Sequence, residues 1–156
     1  MTWLAKLVRM SSAVCLWTGV AIIVVQAFWI SWGVFARYVL GNPDRMVTEA
    51  TALLLVPLSL LGLAEALRAD AFPKVTFLLD GLSQAGRRAL ESFNVLLMIL
   101  IGGFFAAVTL TATVSNYRSG VASSILGWPE YLFWMPTAAA VVVFVLASCL
   151  RLVRRD

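Results

Sequence analysis

The sequence contains no histidine, two cysteines and little charge: 13% of its 156 residues are Asp, Glu, Lys or Arg, against about 25% in an average soluble domain. Each shortage excludes something. With so few charged side chains a soluble globule could not cover its surface. Without histidine, a b-type haem lacks its usual axial ligand, and many metal enzymes lose a common one. Two isolated cysteines, Cys15 and Cys149, make no disulfide framework. The net charge of +4 is too small and too dispersed for a nucleic-acid reader. What the chain has in abundance is apolar side chains, 62% of the total. That much hydrophobicity excludes intrinsic disorder and suits a bilayer.

The hydrocarbon core is about 30 Å thick, so a crossing helix needs roughly 20 mostly apolar residues. Ser11 to Ala36 carries no charge and forms the first such run. The second is bounded by carboxylates: Ala50 to Ala64 is uncharged, with Glu49 and Glu65 at its edges. A span over 47–67 works if both acids lie near interfaces, because a charge at mid-membrane costs roughly 3 kcal/mol or more. Ser92 to Tyr117 is the third uncharged run, and Tyr131 to Leu150 the fourth. The expectation is an all-α membrane protein forming one membrane domain, with spans near 11–36, 47–67, 92–114 and 130–150. The first run is too long for the apolar region of a signal peptide, and Phe28-Trp29-Ile30 is no small-residue cleavage site, so it reads as an uncleaved anchor.

Lys6 and Arg9, then Arg68, Lys74, Arg87 and Arg88, then Arg151, Arg154 and Arg155 fall on one side of these spans. Arg37, Arg45 and Arg118 fall on the other. The positive-inside rule therefore puts both termini in the cytoplasm. Aromatic residues cluster at the expected interfaces: Trp29, Trp32 and Tyr38 at the outer end of span one, Trp128, Tyr131 and Trp134 at the outer start of span four, and Trp3 at the inner face.

The first outer loop, with Gly41-Asn42-Pro43-Asp44, has turn chemistry and predicts a tight hairpin between spans one and two. Pro129 suits the first turn of span four, where a missing N–H costs nothing. Between spans two and three, residues 72–91 read as an amphipathic helix lying in the cytoplasmic interface. Val75, Leu78, Leu79, Leu82, Ala85 and Ala89 share one face, while Lys74, Asp80, Gln84, Arg87, Arg88 and Glu91 fall largely on the other. A loose amphipathic loop is the alternative, since Gly81 and Gly86 weaken the helix by roughly 1 kcal/mol each.

Chemistry inside the membrane usually needs ionisable groups there. Spans one, three and four have none, and Gln26, Asn94 and a few Ser and Thr suit helix-to-helix hydrogen bonds better than a conduit. Glu49 and Glu65 are the acids flanking a span. A small multidrug exporter would carry a carboxylate well inside its first helix, and a quinone-linked disulfide generator would carry paired cysteines near the outer face. Cys15 and Cys149 instead fall near the cytoplasmic ends of their helices, at depths that would permit a contact between spans one and four, and read as small apolar residues. Small pairs at Gly102/Ala106 and Gly103/Ala107, with Ala138, Ala139 and Ala140, mark possible close approaches. Pro57 and Pro136 should each bend or locally unwind a helix. An Arg37–Glu49 pair would pin the outer hairpin, while solvation of both is an equal alternative, since exposed pairs contribute about 0–1 kcal/mol. The residues thus describe a four-helix, N-in/C-in membrane scaffold, without catalytic or cofactor-binding machinery of its own, whose missing machinery belongs to a partner.

Several residues in order then resemble a known family. Arg37-Tyr38-Val39-Leu40 ends the first helix, followed by Pro43 and by Glu49 in the opening of the second. Gly62, Leu67, Arg68, Lys74 and Val75 follow, and then Ser123, Leu126, Gly127, Pro129, Tyr131, Trp134 and Pro136. This is similar to the small membrane subunit of tripartite ATP-independent periplasmic (TRAP) transporters, the DctQ-like family, over about residues 37–136. Met46 stands where the family commonly has Trp, Phe72 where it has His, and Thr76 where it has Asp, which suggests a divergent branch.

The resemblance implies a mechanism. A soluble periplasmic binding protein captures an organic acid, and a large membrane permease subunit moves it with sodium by an elevator motion. The small subunit, in the bacterial inner membrane, enlarges the fixed part of that machine and helps dock the binding protein. On that reading Arg37, Tyr38, Asp44, Arg45 and Glu49 are docking or hairpin-fixing residues, with Arg118, Trp128 and Glu130 a second outer cluster. The interfacial helix, with Val75, Leu78, Leu79, Leu82, Arg87 and Arg88, braces the assembly against the phospholipid bilayer. A chain ending at Asp156 suggests that the large subunit is a separate polypeptide. Two other classes stay open: a self-sufficient small homodimeric transporter, and a membrane enzyme or redox protein.

Overall fold

The computed structural model describes residues 2–42, 44–72 and 83–153. Its helices are α1 (Thr2–Tyr38), α2 (Arg45–Leu61), α3 (Leu63–Arg68), α4 (Gln84–Ser119) and α5 (Tyr131–Val153). With α2 and α3 read as one passage, four helices among the described residues are long and apolar enough to cross a membrane. The start of α1, the end of α3, the start of α4 and the end of α5 share one end of the bundle, here the terminal end. The α1–α2 turn and the α4–α5 loop share the other, the hairpin end.

The helices are longer than the uncharged runs they contain. At 1.5 Å per residue, α1 with 37 residues and α4 with 36 are each about 55 Å long, well beyond the roughly 30 Å of hydrocarbon. Nothing in either sequence stops the helix at the membrane edge, so it continues through the flanking charges. Of the expected interfacial helix over 72–91, residues 73–82 lie outside the described residues, and its last part belongs to α4 instead. Ser83 caps α4, its Oγ accepting from the Gly86 N–H at 3.3 Å. Residues 84–91, with Arg87 and Arg88, are therefore the first two turns of the spanning helix itself. Arg87 faces Glu91 one turn on, at 3.7 Å. Gly86 is tolerated because the backbone ladder continues past it. Val75, Leu78, Leu79 and Leu82 lie outside the described residues.

In α1 one stripe of buried or half-buried positions runs through Val8, Ser12, Cys15, Gly19, Ile22, Gln26, Trp29, Gly33 and Ala36, with Ala5, Ser11 and Ala13 half-buried beside it. The stripe alternates steps of four and three, the 3.5-residue period of helices that wrap around one another. The opposite face leaves Trp17 70% and Phe28 76% exposed, the stable outcome where the surroundings are lipid or another membrane protein. The turn after α1 uses Gly41 at φ +66°, and the Asn42 N–H reaches back to the Ala36 carbonyl at 3.1 Å. A left-handed residue is what this helix-ending hydrogen bond requires, and glycine adopts it without strain.

Helix α5 is the hub. It packs against α1, α2, α3 and α4, whereas α1 and α4 barely meet. Accordingly 39% of its apolar window is buried, against 17% for α1 and α4. Gly102 of α4 sits so close to α5 that a Cβ there would lie 2.9 Å from Val145 Cγ2 and 3.2 Å from the Phe144 ring. A Cβ on Gly103 would meet nothing within 4 Å, so of the two expected small pairs the first faces the partner helix. Ala138 and Ala140 are buried and Ala139 is exposed. Helices α2 and α5 run through Pro57 and Pro136. The interruption in the second passage falls instead at Gly62, whose φ of −85° and ψ of −13° barely depart from helix. The buried hydroxyls of Thr137 and Ser148 donate to the carbonyls of Phe133 and Phe144, each at 2.9 Å, which satisfies them without a partner helix. Cys15 packs with Leu61 and Ala140, Cys149 is half-buried, and both are free thiols.

Candidate docking site

At the hairpin end, one acid joins two loops. Glu49 rises from the first turns of α2, which begins at Asp44: that residue's carboxylate accepts from the Met46 N–H at 2.8 Å and so caps the helix. From there Glu49 Oε2 accepts the backbone N–H of Ile125 at 2.9 Å and of Leu126 at 2.7 Å. Two successive backbone donors pointing at one oxygen form a small anion-binding nest. Its occupant is this chain's own carboxylate, bound through charge-assisted hydrogen bonds.

The nest is built by the segment Ser123 to Pro129. The Ser123 N–H donates to the Trp128 carbonyl at 2.8 Å, and the Gly127 N–H to the Ser123 carbonyl at 3.0 Å. Ser123 Oγ accepts from the Trp128 N–H at 3.3 Å. The Glu130 N–H donates to the Val121 carbonyl at 3.0 Å, and Ala122 and Pro129 form an antiparallel bridge. Ser123 is buried at its base. The spacing of Ser123, Leu126, Gly127 and Pro129 thus closes a compact loop that directs its middle N–H groups outward, towards α2.

The remaining expected residues divide. Arg37 and Tyr38, exposed on the last turn of α1, line a hollow of about 220 Å³ with Gly33, Asp44, Val47 and Thr48. Asp44 also borders a second hollow of about 390 Å³, with Arg45, Met46, Trp32 and Ile125. Trp128 is exposed on the loop crest, and Glu130 is half-buried at the foot of α5. Arg118 is not brought to this group. Its groove is lined by α4 residues, Leu110, Thr111, Val114, Ser115 and Ser119. An Arg37–Glu49 ion pair does not form. Glu49 is turned towards the loop because two backbone N–H groups in fixed positions outcompete one long, exposed guanidinium.

The terminal end carries contacts that sequence reasoning missed. Glu65 of α3 accepts from Ser12 Oγ of α1 at 2.9 Å and from Arg68 Nε at 2.9 Å. Arg151 of α5 donates to the Leu67 carbonyl at 3.0 Å and forms an ion pair with Asp70. Asp70 holds φ +56°, a left-handed residue closing α3 while Ala71 N–H bonds to the Ala66 carbonyl at 2.9 Å. The alternating stripe that contains Ser12 was the available signal. In mid-membrane, Gln26 Nε2 donates to the Thr51 carbonyl at 3.3 Å and ties α1 to α2.

Both acids that flank a span are thus held by donors of the same chain. Among the described residues, no group of three His, Cys, Asp or Glu side chains is placed to hold a metal ion. The arrangement fastens helices and presents loops.

Comparison with known sequences gives one family. The model described as tripartite ATP-independent periplasmic transporters, DctQ component, matches residues 26–156. No curated protein matches significantly. The matched stretch takes in the last third of α1 and all of the hairpin end, including Glu49 and the loop that it binds.

Proposed function

Because the chain belongs to the DctQ component family of tripartite ATP-independent periplasmic transporters, we propose that it is the small, non-transporting membrane subunit of such a system. It lies in the bacterial inner membrane with the terminal end in the cytoplasm and the hairpin end in the periplasm, an orientation that the distribution of its basic residues supports. There it clasps the stationary part of a large permease subunit, which takes up an organic acid with sodium. A periplasmic binding protein delivers that acid. The chain has no enzymatic role.

One observation carries this reading: Glu49 and Glu65, the acids flanking a span, are both engaged by donors of the chain itself. A carboxylate that carries sodium or protons must exchange its ligands during the cycle, whereas these two fasten helices. The broad apolar faces of α1 and α4 offer the permease subunit a large surface without intramembrane charge. At the hairpin end the exposed Arg37, Tyr38, Arg45 and Trp128, with Asp44 and Glu130 beside them, present mixed charge and aromatic surface of the kind that docks a soluble partner. Arg118, set apart on α4, contributes from a second position.

The test is co-purification from membranes. A tagged chain should bring along a much larger multi-span protein, and Arg45→Glu together with Trp128→Ala should reduce capture of the binding protein while leaving that membrane pair intact. Recovery of the chain as a stable, lone, transport-competent protein would refute the proposal and favour a self-sufficient homodimer.

A further inference from the structure

The terminal end holds a pocket of about 300 Å³ between α1, α3 and α5. Three arginines from three different helices line it: Arg9 of α1, Arg68 of α3 and Arg151 of α5. Val8, Leu67 and Leu150 are among its apolar walls. Each arginine is the first basic residue past the end of an apolar run, so all three lie at headgroup depth.

Their hydrogen bonding is unequal. Arg68 spends donors on Glu65 and Arg151 on Asp70 and the Leu67 carbonyl. A guanidinium has five N–H donors, so these contacts fix the orientation of both groups and leave donors over. Arg9 makes no ion pair and donates no side-chain hydrogen bond among the described residues. Among the described residues, three guanidinium groups meet two carboxylates, Asp70 in the lining and Glu65 beside it, which leaves an excess of positive charge over a greasy floor.

From this geometry we propose that the pocket binds an anionic phospholipid. The phosphate sits among the three guanidinium groups, with Arg9 as its main partner, and the acyl chains run down the apolar walls. A basic pocket between spanning helices at the membrane edge is suited to such headgroups, and guanidinium matches phosphate with paired hydrogen bonds. The apolar walls argue for a lipid over free phosphate, which would leave them unfilled. The inference does not depend on the transport role.

The experiment uses the full chain in nanodiscs of equimolar phosphatidylglycerol and phosphatidylcholine, released into native mass spectrometry to read the lipids retained. Phosphatidylglycerol should be retained in preference, and Arg9→Gln should lower that preference about fivefold, the factor for one arginine near an anionic surface. Arg9→Gln removes no internal contact, so its folding is not in question. Arg118→Gln, at the hairpin end, should leave the preference unchanged. Three results would overturn the proposal: no preference in the wild type, equal losses in both variants, or displacement of the lipid by millimolar inorganic phosphate.

Discussion

The two ends of the bundle are fastened in different ways. At the hairpin end a carboxylate binds backbone: Glu49 accepts two N–H groups whose positions are set by the Ser123–Pro129 loop. At the terminal end side chains mostly bind side chains, with Arg151 also reaching the Leu67 carbonyl. Arg68 and Glu65 are one helical turn apart, and Asp70 and Arg151 are joined across helices with side chains 49% and 27% exposed. A backbone nest holds its ligand without losing side-chain freedom on the donor side, whereas each arginine pair must order long chains and is screened by salt. The hairpin end is therefore the rigid one, and the terminal end keeps donors free for something outside the protein. Rigidity where a soluble partner would dock, and spare cationic donors where lipid headgroups lie, fit a clasp better than a conduit.

The sharpest way to break this contrast is Glu49→Ala. Hydrogen bonds to a charged group contribute about 1.5–3 kcal/mol each, so losing two, with partial recovery by water at an exposed loop, should destabilise the folded chain by roughly 2–4 kcal/mol. Thermal unfolding in detergent checks this, and hydrogen exchange at the Ile125 and Leu126 amides should accelerate while α5 stays protected. Ser123→Ala removes the acceptor of the Trp128 N–H and should cost about 1 kcal/mol, again with faster exchange in the loop. The smallest effect belongs to the other end. Asp70→Asn should cost about 0–1 kcal/mol, and the difference from wild type should shrink as salt is raised. The Glu49→Ala difference should persist in salt, because its donors are backbone dipoles. If both variants respond alike to salt, the contrast between the ends is wrong.

The four spans were legible because the bilayer imposes a length and a charge rule that composition obeys directly. Charge also misled. It marks where the hydrocarbon ends, and a helix needs no reason to stop there, so α1 and α4 overrun their uncharged runs and residues 84–91 join α4. Pro57 looked like the weak point of the second passage, yet it is buried and the helix continues to Gly62. The candidate site was half legible. Glu49, Ser123, Leu126, Gly127 and Pro129 all stood out in the sequence, far apart along the chain. What joins them is backbone N–H, which every residue has and no sequence pattern displays. For Glu49 neither of the two even readings, a pair with Arg37 or plain solvation, anticipated its partner: complementary charge was visible, and the competing loop amides were not. Arg151 with Asp70 and Ser12 with Glu65 needed knowledge of which helices are neighbours, and the four-three stripe along α1 came nearest to supplying it.

The most direct test of the claim that this chain is a clasp is sodium-driven uptake into proteoliposomes containing the chain alone, compared with vesicles that also contain the co-purified large subunit and the binding protein. The expected result is uptake in the complete system and none with the chain alone. Sodium-dependent uptake by the chain alone, abolished by Glu49→Gln or Glu65→Gln, would contradict the account.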